Sequence, residues 1–113
     1  MDEEKIKKIM QTAIKLPQYP VNKFKGALEK ILLVLKLAKD IGFEDGLLTI
    51  EINKILEKKL RSKKIPSSVL SNAAVRAELK GYVTSIPIAA KRQRKYKIDS
   101  EGAGYIQECL NKK

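Results

Sequence analysis

The chain lacks histidine and tryptophan altogether, has one cysteine, and carries only six aromatic side chains, four Tyr and two Phe, among 113 residues. Each shortage excludes something. Without histidine a Cys/His metal site is ruled out, and the side chain that most often serves as a general base near neutral pH is missing. A lone Cys109 forms no intramolecular disulfide, which fits a reducing compartment. No Gly-rich phosphate loop and no paired-carboxylate motif occurs. Any catalytic base would have to be Asp, Glu, Lys, Tyr or Cys109, and Cys109 falls on the apolar face of an expected helix, as a core residue does. The expectation is a binding protein, not an enzyme, with no cofactor and no metal.

Long hydrophobic runs are also missing. The longest, Ile31 to Leu35, is far too short to span a bilayer, and the first residues, Met1-Asp2-Glu3-Glu4-Lys5, are polar and acidic, unlike a signal peptide. These features predict a soluble, cytoplasmic chain with no membrane partner. With so few aromatics, the core of this single-domain-sized chain must be built from Leu, Ile, Val and Ala.

What is present in excess is positive charge, and its position matters more than its size. The net charge is +11. Between Lys54 and Lys97 stand 13 Lys/Arg and two acids, Glu57 and Glu78, whereas the rest of the chain balances 11 basic against 11 acidic residues. The whole surplus therefore sits in one segment. A charge excess confined to part of a fold produces a directional field whose commonest partner is a polyanion.

Periodicity predicts a helix over Asp2 to Leu16, with Ile6, Ile9, Met10, Ala13 and Ile14 on one face, broken by Pro17 and Pro20 before an extended connection. A second helix over Lys25 to Ile41 is closed by Gly42. It is apolar around most of its girth, so it must be covered on more than one side, and a partner subunit is one such cover. Leu47 to Thr49 reads as a very short extended piece, with Thr49 as N-cap of a helix over Ile50 to Arg61 whose inward residues are Ile52, Ile55, Leu56 and Leu60. After a turn at Lys63 to Ile65, Pro66 with Ser67 or Ser68 starts a helix that ends at Lys80 before Gly81. Alternation then predicts a strand over Tyr82 to Ile88, kept to an edge by Pro87, a basic loop over Ala89 to Arg94, and a second strand over Lys95 to Ile98. Ser100 or Asp99 caps a last helix through Leu110, with Tyr105, Ile106, Cys109 and Leu110 as its apolar face and with Gly102 and Gly104 weakening its first turn.

This order, with Leu47-Leu48-Thr49-Ile50-Glu51-Ile52, Gly81-Tyr82-Val83 and Tyr96-Lys97-Ile98-Asp99-Ser100-Glu101-Gly102 at its junctions, resembles the winged helix-turn-helix family of DNA-binding proteins. The resemblance covers about 85 residues and rests on order and spacing. Asp99 stands where the family more often has threonine, and Pro87 falls inside the first wing strand. It implies a mainly α fold with a small β-wing and an extra N-terminal helix: residues 1–24 as helix and Pro-containing connection, residues 25–113 as the winged domain.

The resemblance also implies a site. If Ser67 to Lys80 is the recognition helix, Leu70, Ala73, Ala74 and Ala77 pack inward. Ser68, Ser71, Asn72 and Val75 then face out, with Arg76 at the flank. Such a face, small and free of acids, suits a major groove. Asn72 is expected to pair with an adenine edge, Arg76 with a guanine or a phosphate, and Ser67, Ser68 and Ser71 with phosphate oxygens. Leu79 falls outward and is expected to tuck under the wing. The tip, Lys91-Arg92-Gln93-Arg94-Lys95, puts Lys91, Arg92, Arg94 and Lys95 along the sugar-phosphate backbone or in a minor groove. Lys63 and Lys64, in a run with Lys58, Lys59 and Arg61, are placed to hold a phosphate strand. The expected partner is double-stranded DNA, bound by a homodimer formed through the N-terminal helices. The alternative is a winged-helix interaction module docking on an acidic protein or on RNA.

Overall fold

The computed structural model describes residues 3–11, 24, 26–42, 46–60, 62–88 and 94–111, and these form five helices and one antiparallel pair of strands. They are α1 (Glu3–Gln11), α2 (Ala27–Ile41), α3 (Thr49–Lys58), α4 (Ser67–Leu79), β1 (Val83–Pro87), β2 (Arg94–Ile98) and α5 (Ser100–Asn111). The continuation of the first helix to Leu16, and the Pro17–Pro20 connection, lie outside the described residues.

The centre is α2. Leu28, Ile31, Leu32, Leu33, Val34, Leu35, Leu37 and Ala38 are all buried, and they are buried within this one chain. α4, α3, α5 and β2 all pack against it. The apolar girth that pointed to a partner subunit is therefore covered internally. α1 joins the same core through Ile9. Among the described residues no helix is long and apolar enough to cross a membrane.

β1 and β2 form an antiparallel pair, Val83 opposite Ile98 through Pro87 opposite Arg94. The upstream segment adds to its other edge: Leu47 and Tyr96 exchange two backbone hydrogen bonds, each 2.8 Å. The spatial order is thus Leu47, β2, β1, with Pro87 on the outer strand, where a missing N–H is tolerated. Arg94, expected in the loop, belongs to β2, because Pro87 still pairs opposite it.

Boundaries follow local chemistry. Gly42 and Gly81 adopt positive φ of +95° and +78°, closing α2 and α4 as their positions predicted. Thr49 is not the N-cap of α3. The helix starts at Thr49 itself, Leu48 is the capping residue, and its N–H donates to Glu51 Oε1 at 2.8 Å. The carboxylate reaching back over the first turn pairs the N–H of the capping residue, a different donor from the one further into the helix that a threonine cap would have taken. At the other end α3 stops at Lys58, short of Arg61, because the N–H groups of both Lys59 and Leu60 turn onto the Ile55 carbonyl. At the last helix Asp99 holds the capping position. Its carbonyl accepts from Ala103 N–H at 2.8 Å, while its carboxylate accepts the Thr84 hydroxyl at 2.7 Å. The aspartate therefore ties the start of α5 to β1.

Candidate nucleic-acid interface

α3, the segment 62–66 and α4 form a helix–turn–helix whose turn is held by one buried side chain. Asn53 lies on α3 with 5% of its surface exposed. Its Nδ2 donates to the Ile65 carbonyl at 2.8 Å, and its Oδ1 accepts from the Ile65 N–H at 3.0 Å. An amide supplies a donor and an acceptor together, so it satisfies both backbone groups of a buried residue outside any regular element. This residue was missed from sequence, although the signal was there. Asn53 lies three residues before Leu56 and seven before Leu60, on the inward stripe, where a polar residue needs a partner. With the turn fixed, Lys63 and Lys64 are exposed between the two helices.

α4 presents the face expected of it. Leu70, Ala73, Ala74 and Ala77 are buried, while Ser67, Ser68, Ser71, Asn72, Val75 and Arg76 are exposed. Small alanines let α4 sit close on α2. At about 100° per residue the outermost crest is Ser68, Asn72, Val75 and Leu79, a line of about 16 Å. No acid lies on this crest, none lies in the first turn, and no side chain caps the helix start. The first N–H groups of α4 are therefore left to the positive end of the helix dipole, beside the Lys63–Lys64 turn. Leu79 does not tuck under the hairpin: it is 82% exposed, because two turns of helix carry it onto the crest.

The two flanks of α4 differ. Glu78, the one acid of the helix, accepts a hydrogen bond from Ser85 Oγ of β1, and Arg94 Nη1 donates to the same Ser85 oxygen at 2.9 Å. The flank of Ser67, Ser71 and Glu78 therefore faces the hairpin. Arg76 and Val69 lie on the opposite flank, away from it. Glu78 is thus drawn off the crest and partnered. Burial pushes the Tyr96 phenol above its ordinary value, and the Glu78 carboxylate pushes it further against the opposing effect of Arg94.

Strand alternation splits the basic residues of the hairpin. Cross-strand partners share a face, so Val83, Ser85, Arg94, Tyr96 and Ile98 lie on the side turned to the helices, and Thr84, Ile86, Lys95 and Lys97 on the other. Arg94 stands with α4; half-buried Lys95 points away, its Cβ near Gly46. Lys91 and Arg92 lie outside the described residues. Of the upstream run, Lys58 is exposed near Glu57 at 3.7 Å, and Arg61 is outside the described residues. Lys59 is turned inward: its Nζ donates to the Met10 carbonyl at 3.1 Å, and burial lowers its pKa. It packs α1 onto α3 and leaves the expected phosphate-holding run.

The structure thus leaves Lys63 and Lys64 exposed before α4, puts Ser68 and Asn72 on its crest, Ser67 and Ser71 on the flank toward Arg94 and Arg76 on the opposite flank, and turns Lys95 to the other face of the hairpin. The chain matches no protein-family model, no curated protein and no solved structure.

Proposed function

We propose that the chain is a winged helix-turn-helix module that binds double-stranded DNA, as a transcriptional regulator or a DNA-organising protein, by binding and not by catalysis. The observation that carries this reading is the exposed, acid-free crest of α4, with lysines at its start and a hairpin at its end. α4 enters the major groove. Lys63, Lys64 and the uncapped start of α4 take phosphates of one strand, and the hairpin, through Arg94 with Lys91 and Arg92 just before it in sequence, follows the backbone or the minor groove. Leu47 on the far edge of β2, giving the sheet a short third member, supports the winged arrangement. With α2 covered inside the chain, the reading does not require a homodimer.

Salt dependence is the direct test. With about six phosphates neutralised, log affinity for a duplex falls against log salt with a slope near −5. Replacing Lys63 and Lys64 together with alanine reduces that slope by about two and weakens binding to all sequences alike. A flat salt response, or no shift of duplex DNA at low salt, removes the proposal.

One observation favours a second reading, docking on an acidic protein or on RNA. Val69, Val75 and Leu79 expose 45%, 46% and 82% of their surface on a single helix, which suits a macromolecular contact of any kind. Competition between duplex DNA, structured RNA and an acidic protein for the same chain separates the two.

A further inference from the structure

Resting on the DNA-binding reading, we infer that α4 selects A·T base pairs, with Asn72 pairing an adenine edge and Val75 packing against the 5-methyl group of the neighbouring thymine. Three features of the crest carry this. First, it bears no cation. The commonest specific contact to guanine is a bidentate Arg or Lys on its O6 and N7, and the one arginine of α4, Arg76, stands on the flank, where it meets backbone. Second, the two side chains in the middle of the crest are those whose chemistry matches an A·T pair. An amide matches the donor–acceptor pair at adenine N6 and N7, and an aliphatic group matches the thymine methyl. Both are exposed, Val75 by 46%. Third, their spacing fits. Three residues of helix advance about 4.5 Å, close to the rise of about 3.4 Å between successive bases of one strand.

On the exposed side of α4 Val75 lies among Ser71, Asn72 and Arg76, with Leu79 one turn on, and no acid shares the crest. A phosphate-lined groove therefore meets no charge repulsion there. Burying one methyl group against valine is worth about fourfold in affinity, and an amide–adenine pair about tenfold over a mismatched base.

The test uses three short duplexes at one salt concentration: alternating dA-dT, alternating dA-dU, which lacks only the methyl groups, and alternating dG-dC. The wild-type chain is expected to bind dA-dT about fourfold more tightly than dA-dU. Val75→Ala is expected to bind those two equally, while Asn72→Ala loses the preference for dA-dT over dG-dC. Equal binding of dA-dT and dA-dU by the wild type overturns the inference and leaves DNA binding standing. A fourfold difference that survives in Val75→Ala overturns the assignment to Val75. Failure to bind any of the three duplexes at low salt overturns the DNA-binding reading itself.

Discussion

Replacing Asn53 with leucine is expected to destabilise the chain by about 2–4 kcal/mol, measured by denaturant unfolding, and to weaken duplex binding as a consequence. Leucine has the same four side-chain heavy atoms and the same branching at Cγ, with two bulkier methyl groups in place of the amide. What it removes is the Asn53 amide that pairs the Ile65 N–H and the Ile65 carbonyl, bonds of 3.0 and 2.8 Å in a buried setting. Each buried backbone group left unpaired costs about 1–3 kcal/mol, more than the net gain of making the bond. Asn53→Asp separates loss of hydrogen bonding from loss of packing. An ionised carboxylate still accepts from the Ile65 N–H but faces the Ile65 carbonyl with no proton to give it. The folded state therefore raises the pKa of this aspartate. Its proton-linked stabilisation is complete below the unfolded value of about 3.9 and is lost as pH rises through the folded value. The stability gap between Asn53→Asp and wild type should thus narrow as pH falls, whereas the gap for Asn53→Leu should stay constant. A leucine variant as stable as wild type would mean that the turn carrying Lys63 and Lys64 is held by something other than Asn53.

The contrast between Asn53 and the alanines of α4 explains how much of the site was legible in the sequence. Leu70, Ala73, Ala74 and Ala77 recur at helical spacing, and period alone assigns them inward and Ser68, Asn72 and Val75 outward. The hairpin was legible for the same reason, since alternation and Pro87 locate it to within a residue or two. What period cannot encode is which polar group answers which across the fold. Ser85 with Glu78 and Arg94, and Thr84 with Asp99, join residues brought together by packing, while Glu51 pairing the Leu48 N–H is a local contact three residues apart. Lys59 was misread on similar grounds. A run of cations looks uniform in sequence, but helical rotation turns one of the run toward α1. The dimer expectation rested on the apolar surface of the two N-terminal helices, and counting apolar positions does not show that α3, α4, α5 and β2 pack against that of α2.

Gly102→Ala is expected to cost about 3 kcal/mol, while Gly104→Ala, two residues on in the same helix, is expected to stabilise by about 0.5–1 kcal/mol. From sequence both glycines merely weaken the first turn of α5. Their surroundings differ. A Cβ at Gly102 would lie 2.1 Å from the Tyr82 carbonyl oxygen, 2.8 Å from its carbon and 3.0 Å from Ile98 Cγ1, so the obstacle is chiefly backbone and cannot rotate aside. A Cβ at Gly104 meets nothing within 4 Å. At the exposed position alanine simply restricts the unfolded chain and favours the helix. At the buried one, α5 must lift from the base of the hairpin. Doing so strains the bond from Asp99 N–H to that same Tyr82 carbonyl, 2.9 Å, and the stack of Tyr82 on Tyr105, whose rings lie 4.6 Å apart at 11°. Tyr105 reports on this directly. Burial foremost, with a hydrogen bond to Cys109, pushes its phenol up to about 12. In Gly102→Ala that phenol should ionise closer to its ordinary pH in an ultraviolet titration, whereas in Gly104→Ala it should not change. Because Tyr82 also donates its N–H to the Ala77 carbonyl at the end of α4, at 2.9 Å, a shift at Tyr82 reaches α4, so the alanine at position 102 should also lower duplex affinity, and the alanine at 104 should leave it untouched.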